Sequence, residues 1–107
     1  MYTLVLIGEL DRSSTATLEA AIEGLCEKEV AGITIDLSKL TRIDATGVAV
    51  IAFRCRWCQR RGFEFALVPG SASVQRAFER AGPVEQLPFV EQPRHSEEGS
   101  RVLLTRA

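Results

Sequence analysis

What this chain of 107 residues has little of narrows its chemistry before any motif is read. It has a single histidine, His95, set in a polar stretch, so a Ser-His-Asp set has no credible base. Its longest apolar runs, Leu4–Ile7 and Gly47–Phe53, fall far below the roughly 18 residues of a membrane span. Neither sign of charge dominates: 13 Lys and Arg stand against 14 Asp and Glu, so no basic nucleic-acid surface is expected. Met1–Ile7 carries no positive leader and runs straight into Glu9 and Asp11, which argues against a secretory signal. No Gly-rich phosphate loop of the P-loop or dinucleotide type occurs. The expectation is a cytoplasmic, non-enzymatic protein with no cofactor, no nucleic-acid partner and no direct membrane insertion.

Cysteine is also scarce: Cys26, Cys55 and Cys58, an odd count that does not make a disulfide framework. Reduced thiols are expected. Cys55 and Cys58 form a C-x-x-C, which admits three readings. A redox pair needs its first thiol near a helix N-terminus, where the dipole lowers the pKa. This pair falls late in a helical stretch, after Val48, Ile51 and Ala52. A zinc site needs four ligands, and only Cys26 and His95 remain to complete one. Two small residues packing into a core is the third reading and the one the spacing favours.

The remaining residues describe one ordinary domain. The chain is 46% hydrophobic and 25% charged, enough for a single core. Leu4–Ile7 reads as a β-run ending at Gly8. Ser13-Ser14-Thr15 supplies N-cap chemistry, and Leu18, Ala21, Ile22 and Leu25 follow at helical spacing. Ile33–Leu37 predicts a second strand. Ser38–Asp44 reads as a loop with Leu40 and Ile43 pointing inward. Thr46-Gly47 opens a second helix that Gly62 closes as its C′ residue. Phe63–Val68 predicts a third strand, and Val74, Ala77, Phe78 and Ala81 line a third helix stopped by Gly82-Pro83. Leu87–Val90 predicts a short edge strand. This βαβαβαβ order implies an α/β fold, a mostly parallel sheet of four to five strands with helices packed on it. Residues 1–90 read as the domain. Residues 91–107 read as a polar tail, disordered or docked at its end, where Arg101–Ala107 either docks as a strand or helix end or frays.

The second helix carries two apolar faces at about 100° per residue. Val48, Ile51, Cys55 and Cys58 share one; Thr46, Val50, Phe53 and Trp57 share nearly the opposite one. The aliphatic stripe suits the sheet by shape. The aromatic stripe is either further core or a partner surface, since Phe53 and Trp57 carry interface-sized area. Thr46 stands at the helix N-terminus, where free amides and the dipole favour an anion. Its hydroxyl either caps the helix or accepts a phosphoryl group whose charge repels an acidic or apolar partner.

Ile33-Thr-Ile-Asp-Leu-Ser38 followed by Ile43-Asp-Ala-Thr-Gly-Val48 resembles the STAS domain of anti-sigma factor antagonists. Gly8-Glu-Leu-Asp11, Arg60-Arg-Gly62 and Phe78-Glu-Arg-Ala-Gly82 agree in order and spacing, and the resemblance covers about Tyr2 to Val90. The family motif is Asp-Ser-Ser-Gly, with its second Ser phosphorylated by a partner kinase. Here that position is Thr46, the Asp is Asp44, and the first Ser is Ala45, so one hydroxyl is lost. Some members begin with an extra strand before the one at Leu4. The resemblance implies an unphosphorylated form that binds an anti-sigma factor kinase and frees a sigma factor, with a phosphatase for reset. Asp44, Ala45, Thr46, Gly47, Val50, Phe53 and Trp57 would face the partner, with Thr46 the phosphorylated residue. Small STAS proteins also serve as accessory subunits on the ATPase of ABC-type lipid transporters, or as scaffolds in sensory assemblies. A homodimer through Phe53 and Trp57 is a further expectation.

Overall fold

The computed structural model describes residues 1–28, 30–82, 86–90 and 98–104. Its elements run β1 (Tyr2–Leu10), α1 (Thr15–Glu27), β2 (Gly32–Asp36), β3 (Leu40–Ile43), α2 (Ala45–Arg60), β4 (Glu64–Val68), α3 (Ala72–Ala81) and β5 (Glu98–Leu103). The five strands form one sheet in the order β3-β1-β2-β4, with β5 also paired to β1. Every strand pairing is parallel. No helix among the described residues is long and apolar enough to cross a membrane.

β1 is the centre of the sheet. Leu4, Leu6, Gly8 and Leu10 alternate as its buried positions, the period-two pattern of a strand. Tyr2–Val5 pair with β2 and also with β5, so both edges of β1 are used over that stretch. Gly8, Glu9 and Leu10 pair with β3 instead, after a register shift between Gly8 and Glu9. Gly8 takes φ 110°, which a side chain would strain, so the bulge depends on glycine. β2 is buried from Gly32 to Ile35, as expected of a strand covered on both faces.

Two strands differ from the sequence reading. Leu40–Ile43 was expected as a loop with Leu40 and Ile43 inward. Both are buried, but the segment pairs with β1, and Thr41 Oγ1 donates to the Gly8 carbonyl at 2.8 Å. The polar pair Thr41-Arg42 hides that strand from a hydrophobicity pattern. β5 arises within the stretch read as tail and takes the docked-strand alternative, beginning three residues earlier than Arg101: Glu98–Leu103 lie against Tyr2–Ile7, and Leu104 N–H donates to the Ile7 carbonyl at 2.8 Å. Leu87–Val90 was expected as an edge strand. It makes a single bridge, Phe89 beside Leu67, with hydrogen bonds from Leu67 N–H to Pro88 and from Val90 N–H to Leu67. Pro88 has no N–H to extend the ladder.

The helices follow their apolar spacing. α1 buries Leu18, Ile22 and Leu25; α3 buries Val74 and Phe78. Phe78 meets the Phe89 ring edge to face, with centroids 5.3 Å apart. α2 contacts both other helices. It ends as the sequence implies. Gly62 N–H bonds to the Gln59 carbonyl and Phe63 N–H to Cys58, while Gly62 takes φ 85°. That paired closure at a left-handed glycine is a Schellman motif.

A buried arginine joins α1 to α2. Arg54 is only 8% exposed, and its guanidinium holds Glu19 at 2.8 Å and Glu23 at 2.8 Å. Burial opposes its charge, but the hydrogen bonds to the two carboxylates outweigh that and raise its pKa. The carboxylates sit one helical turn apart and keep contact with water, so the clamp is half solvated.

Two stability changes follow. Arg54→Ala should lower unfolding free energy by about 1–3 kcal/mol, not the larger cost of stranding a buried charge, because both carboxylates can rehydrate. Gly47→Ala should cost about 1–3 kcal/mol, since an added Cβ would lie 2.7 Å from the Leu10 carbonyl oxygen and 2.8 Å from Ile43 Cγ1. Urea midpoints at constant m-value would check both; a Gly47→Ala midpoint at or above wild type would refute the close approach.

Candidate functional site

The N-terminus of α2 and the loop after β1 come together at one end of the sheet. β1 ends at Leu10, whose carbonyl accepts the Asp44 N–H at 3.2 Å. Asp44 is the N-cap of α2: its Oδ1 accepts the Gly47 N–H at 2.8 Å, and its carbonyl accepts Val48 N–H. The helix therefore starts at Ala45, one residue earlier than the sequence reading placed it. Thr46 lies inside the first turn, exposed, and its side chain bonds to no other described residue. Since Asp44 does the capping, the Thr46 hydroxyl is left facing solvent. Gly47 is buried beneath it against Leu10 and Ile43.

The facing loop is tied to itself. Asp11 Oδ1 accepts Ser13 N–H at 2.9 Å and Ser13 Oγ–H at 2.6 Å. These hydrogen bonds hold the Asp11 carboxyl below its ordinary pKa. It is therefore anionic at neutral pH, and the loop loses those bonds only in acid. Ser14 occupies the N-cap position of α1 but does not cap with its side chain. Its hydroxyl donates to the Glu9 carbonyl at 2.8 Å and accepts Asp11 N–H at 3.0 Å. The capping expected of this serine is replaced by a role in closing the loop. Asp11, Arg12, Ser13, Asp44 and Thr46 line one open cleft. A second shallow cleft beside it is lined by Glu9, Leu10, Asp11, Arg42 and Asp44. The arrangement presents an exposed hydroxyl, bonded to no other described residue, in a cleft shared with two carboxylates at a helix N-terminus. A phosphoryl group there would meet Arg12 and the helix dipole and also two fixed negative charges.

From this end the outer face of α2 carries the aromatic stripe. Phe53 is 57% exposed; Val50 and Trp57 are half-buried. Val48, Ile51, Cys55 and Cys58 lie in the core. The Trp57 ring is flanked by Arg54 and Arg61, each with its guanidinium carbon 4.9 Å from the ring centroid. Arg54 also reaches Phe53 at 5.7 Å. The sequence reading placed Asp11, Ser13 and Arg61 in capping or flanking motifs but assigned none of them, nor Arg12 or Arg54, to the site. A helical wheel could have placed Arg54 beside the aromatics, but its carboxylate partners belong to another helix. Ala45 is exposed at the first helical position.

The C-x-x-C pair lies far from this end. Cys55 and Cys58 are 2% and 0% exposed, and burial raises both thiols, Cys58 to about 12. That is opposite to the shift a reactive dithiol needs. No group of three or more metal-binding side chains occurs among the described residues, and His95 lies outside them.

The chain superposes on the solved structure of the anti-sigma factor antagonist SpoIIAA in its unphosphorylated form, with a TM-score of 0.67 and 22% identity, covering 85% of this chain and 82% of that one. At that identity the likeness establishes a shared fold. A family model, the STAS domain, matches residues 1–94. The parallel sheet, the helix opening at Asp44–Gly47 and this near-complete match agree: the chain belongs to the STAS domain family.

Proposed function

We propose that this STAS domain is a non-catalytic anti-sigma factor antagonist that works by partner switching. In the unphosphorylated state, the Thr46 end of α2 and the face carrying Val50, Phe53 and Trp57 dock onto an ATP-binding anti-sigma factor that is also a kinase. Docking displaces the sigma factor. Transfer of the ATP γ-phosphoryl group to Thr46 then breaks the complex, and a phosphatase restores it.

The observation that carries this reading is the state of the Thr46 hydroxyl. It sits at a helix N-terminus, exposed, with its expected capping work done by Asp44. Phosphorylation adds about 1.5 to 2 negative charges without removing any bond the fold uses. The fold therefore survives while the surface becomes more negative. Those charges arrive beside Asp11 and Asp44, so an apolar or acidic partner surface meets three anions where it met two. Like charges brought together at an interface cost several kcal/mol. Asp44 orients the acceptor through the cap, and Gly47 lets the helix end sit close to β1. Exposed Phe53 supplies apolar area that gains by burial in a complex.

Pull-downs from native lysate with wild type, Thr46→Ala and Thr46→Glu as baits test this, followed by affinity measurement with the recovered protein. Wild type and Thr46→Ala should recover a soluble ATP-binding kinase. Thr46→Glu should bind it at least about tenfold more weakly, a loss of about 1.4 kcal/mol, with an unchanged circular dichroism spectrum. Mass spectrometry after incubation with the partner and ATP should place a phosphate on Thr46. Equal recovery of a membrane transporter ATPase by all three baits would instead make Thr46 a structural contact of an accessory subunit.

A further inference from the structure

The last two turns of α2 are rich in arginine. Arg54, Arg56, Arg60 and Arg61 fall within eight residues, although the whole chain carries a net charge of -1. Two of the four are already committed. Arg54 is held by Glu19 and Glu23, and Arg61 lies against the Trp57 ring. Arg56 and Arg60 are exposed, and neither meets a carboxylate among the described residues. Successive helical positions turn by about 100°, which puts both arginines on the side that carries Thr46, Ala49 and exposed Phe53. The outer strip of α2 is therefore graded. It runs from a hydroxyl beside Asp44, over a small residue, to an exposed ring and then to two unpaired cations. Arg56 and Gln59 also line a cleft of about 190 Å³ between α2 and α3, together with Val48, Ala52, Phe78 and Leu87. Small-molecule pockets run to about 300–1,000 Å³, so this cleft suits a side chain of a docked protein better than a free ligand.

We infer that Arg56 and Arg60 are an electrostatic anchor for a carboxylate-rich patch on the protein partner, with Phe53 beside them entering an apolar part of the same surface. The inference rests on the partner-switching reading for the identity of that partner, an ATP-binding kinase. It adds which chemistry the kinase presents to α2, and where. A nucleic acid is the weaker match. Tight binding to phosphates draws on about six to ten contacts, whereas this strip offers two free arginines and meets Asp11 and Asp44 at its far end. An acidic partner surface is also one that a phosphoryl group on Thr46 repels. Thr46 and Arg60 stand fourteen residues apart, about 21 Å along the helix and beyond the screening length of about 8 Å. The anchor therefore keeps its attraction in both states of Thr46. It steers the partner onto α2, and the hydroxyl end decides whether the complex lasts.

The full-length chain serves as bait in native lysate, with and without nuclease, and the kinase recovered by wild type is then used in kinetic binding at low and at high salt. Arg56→Gln/Arg60→Gln should bind it at least about tenfold more weakly at low salt, mainly through slower association, and the gap should shrink at high salt. Lys39→Gln/Arg101→Gln removes two exposed charges outside α2 and should stay within about twofold of wild type. All variants should keep the wild-type circular dichroism spectrum. Added to Thr46→Glu, the arginine pair should cost the same factor as it does alone. Zero-length carbodiimide coupling reads the partner chemistry directly: in Arg60→Lys the introduced amine should join an Asp or Glu of the kinase, located by mass spectrometry. Weaker binding by Thr46→Glu with Arg56→Gln/Arg60→Gln at wild-type affinity would overturn the anchor and leave the phosphorylation reading standing. The reverse pattern would uphold the anchor and remove the phosphorylation reading. A wild-type bait that recovers no kinase removes both. A control pair as weak as the arginine pair, recovery lost to nuclease, or coupling only to carboxylates of this chain would each overturn the anchor.

Discussion

The hydrogen bond from Asp44 N–H to the Leu10 carbonyl joins the end of the central strand to the start of α2, and the site exists because of it. Upstream of Leu10, β1 is held by β2 and β5 along its first residues and by β3 along its last. The carbonyl that ends it is therefore a fixed point. Asp44 docks on that point with its backbone and uses its side chain to cap α2. Gly47 then lets the first helical turn settle against Leu10 and Ile43, where any side chain would collide. The exposed Thr46 hydroxyl is the residual of this arrangement. Among the described residues of that turn it alone presents an unbonded hydroxyl to solvent.

Much of this was legible in the sequence, because local chemistry and tertiary packing agree there. Leu18, Ile22 and Leu25, or Val74 and Phe78, repeat at helical spacing and are buried at that spacing. Gly62 was expected to close α2 and does so through the left-handed closure that glycine permits. The misses share a cause. Leu40–Ile43 is a strand because β1 offers it an edge, and half of its residues are polar. Glu98–Leu103 buries only Val102, so no periodicity announces a strand; backbone hydrogen bonds to β1 supply it. Ser14 looks like a cap in any local reading, yet its hydroxyl is drawn to the Glu9 carbonyl by the turn that follows β1. At the site, the Asp44–Gly47 motif and its place before a helix could be read directly. The cleft could not, since Asp11, Arg12 and Ser13 meet Asp44 and Thr46 only after β1 and β3 align.

Arg54 settles how α2 divides its faces. A helix with apolar residues all round is usually buried all round. Here an arginine occupies the seam with α1, and its two carboxylate partners bring water to that seam. Trp57 is held half in by guanidinium groups from Arg54 and Arg61, each cation–π contact adding about 0.5–1 kcal/mol at an exposed site. Phe53, one residue before Arg54, is turned to solvent. The exposed aromatic is thus a consequence of satisfying the arginine. It places apolar area on the same helix as the exposed Thr46 hydroxyl.

Rigid elements also separate their ends. Thr46 and Cys58 are twelve residues apart on α2, about 18 Å along a straight helix. That exceeds the screening length of about 8 Å at physiological salt, so charge gained at Thr46 is weakly felt at the thiols. Arg54 and its two carboxylates lie toward the middle of the helix, one positive charge against two negative ones that are themselves partly solvated. A charge gained at Thr46 would therefore alter what the N-terminal surface of α2 attracts while leaving the Arg54 seam and the core behind it as they are.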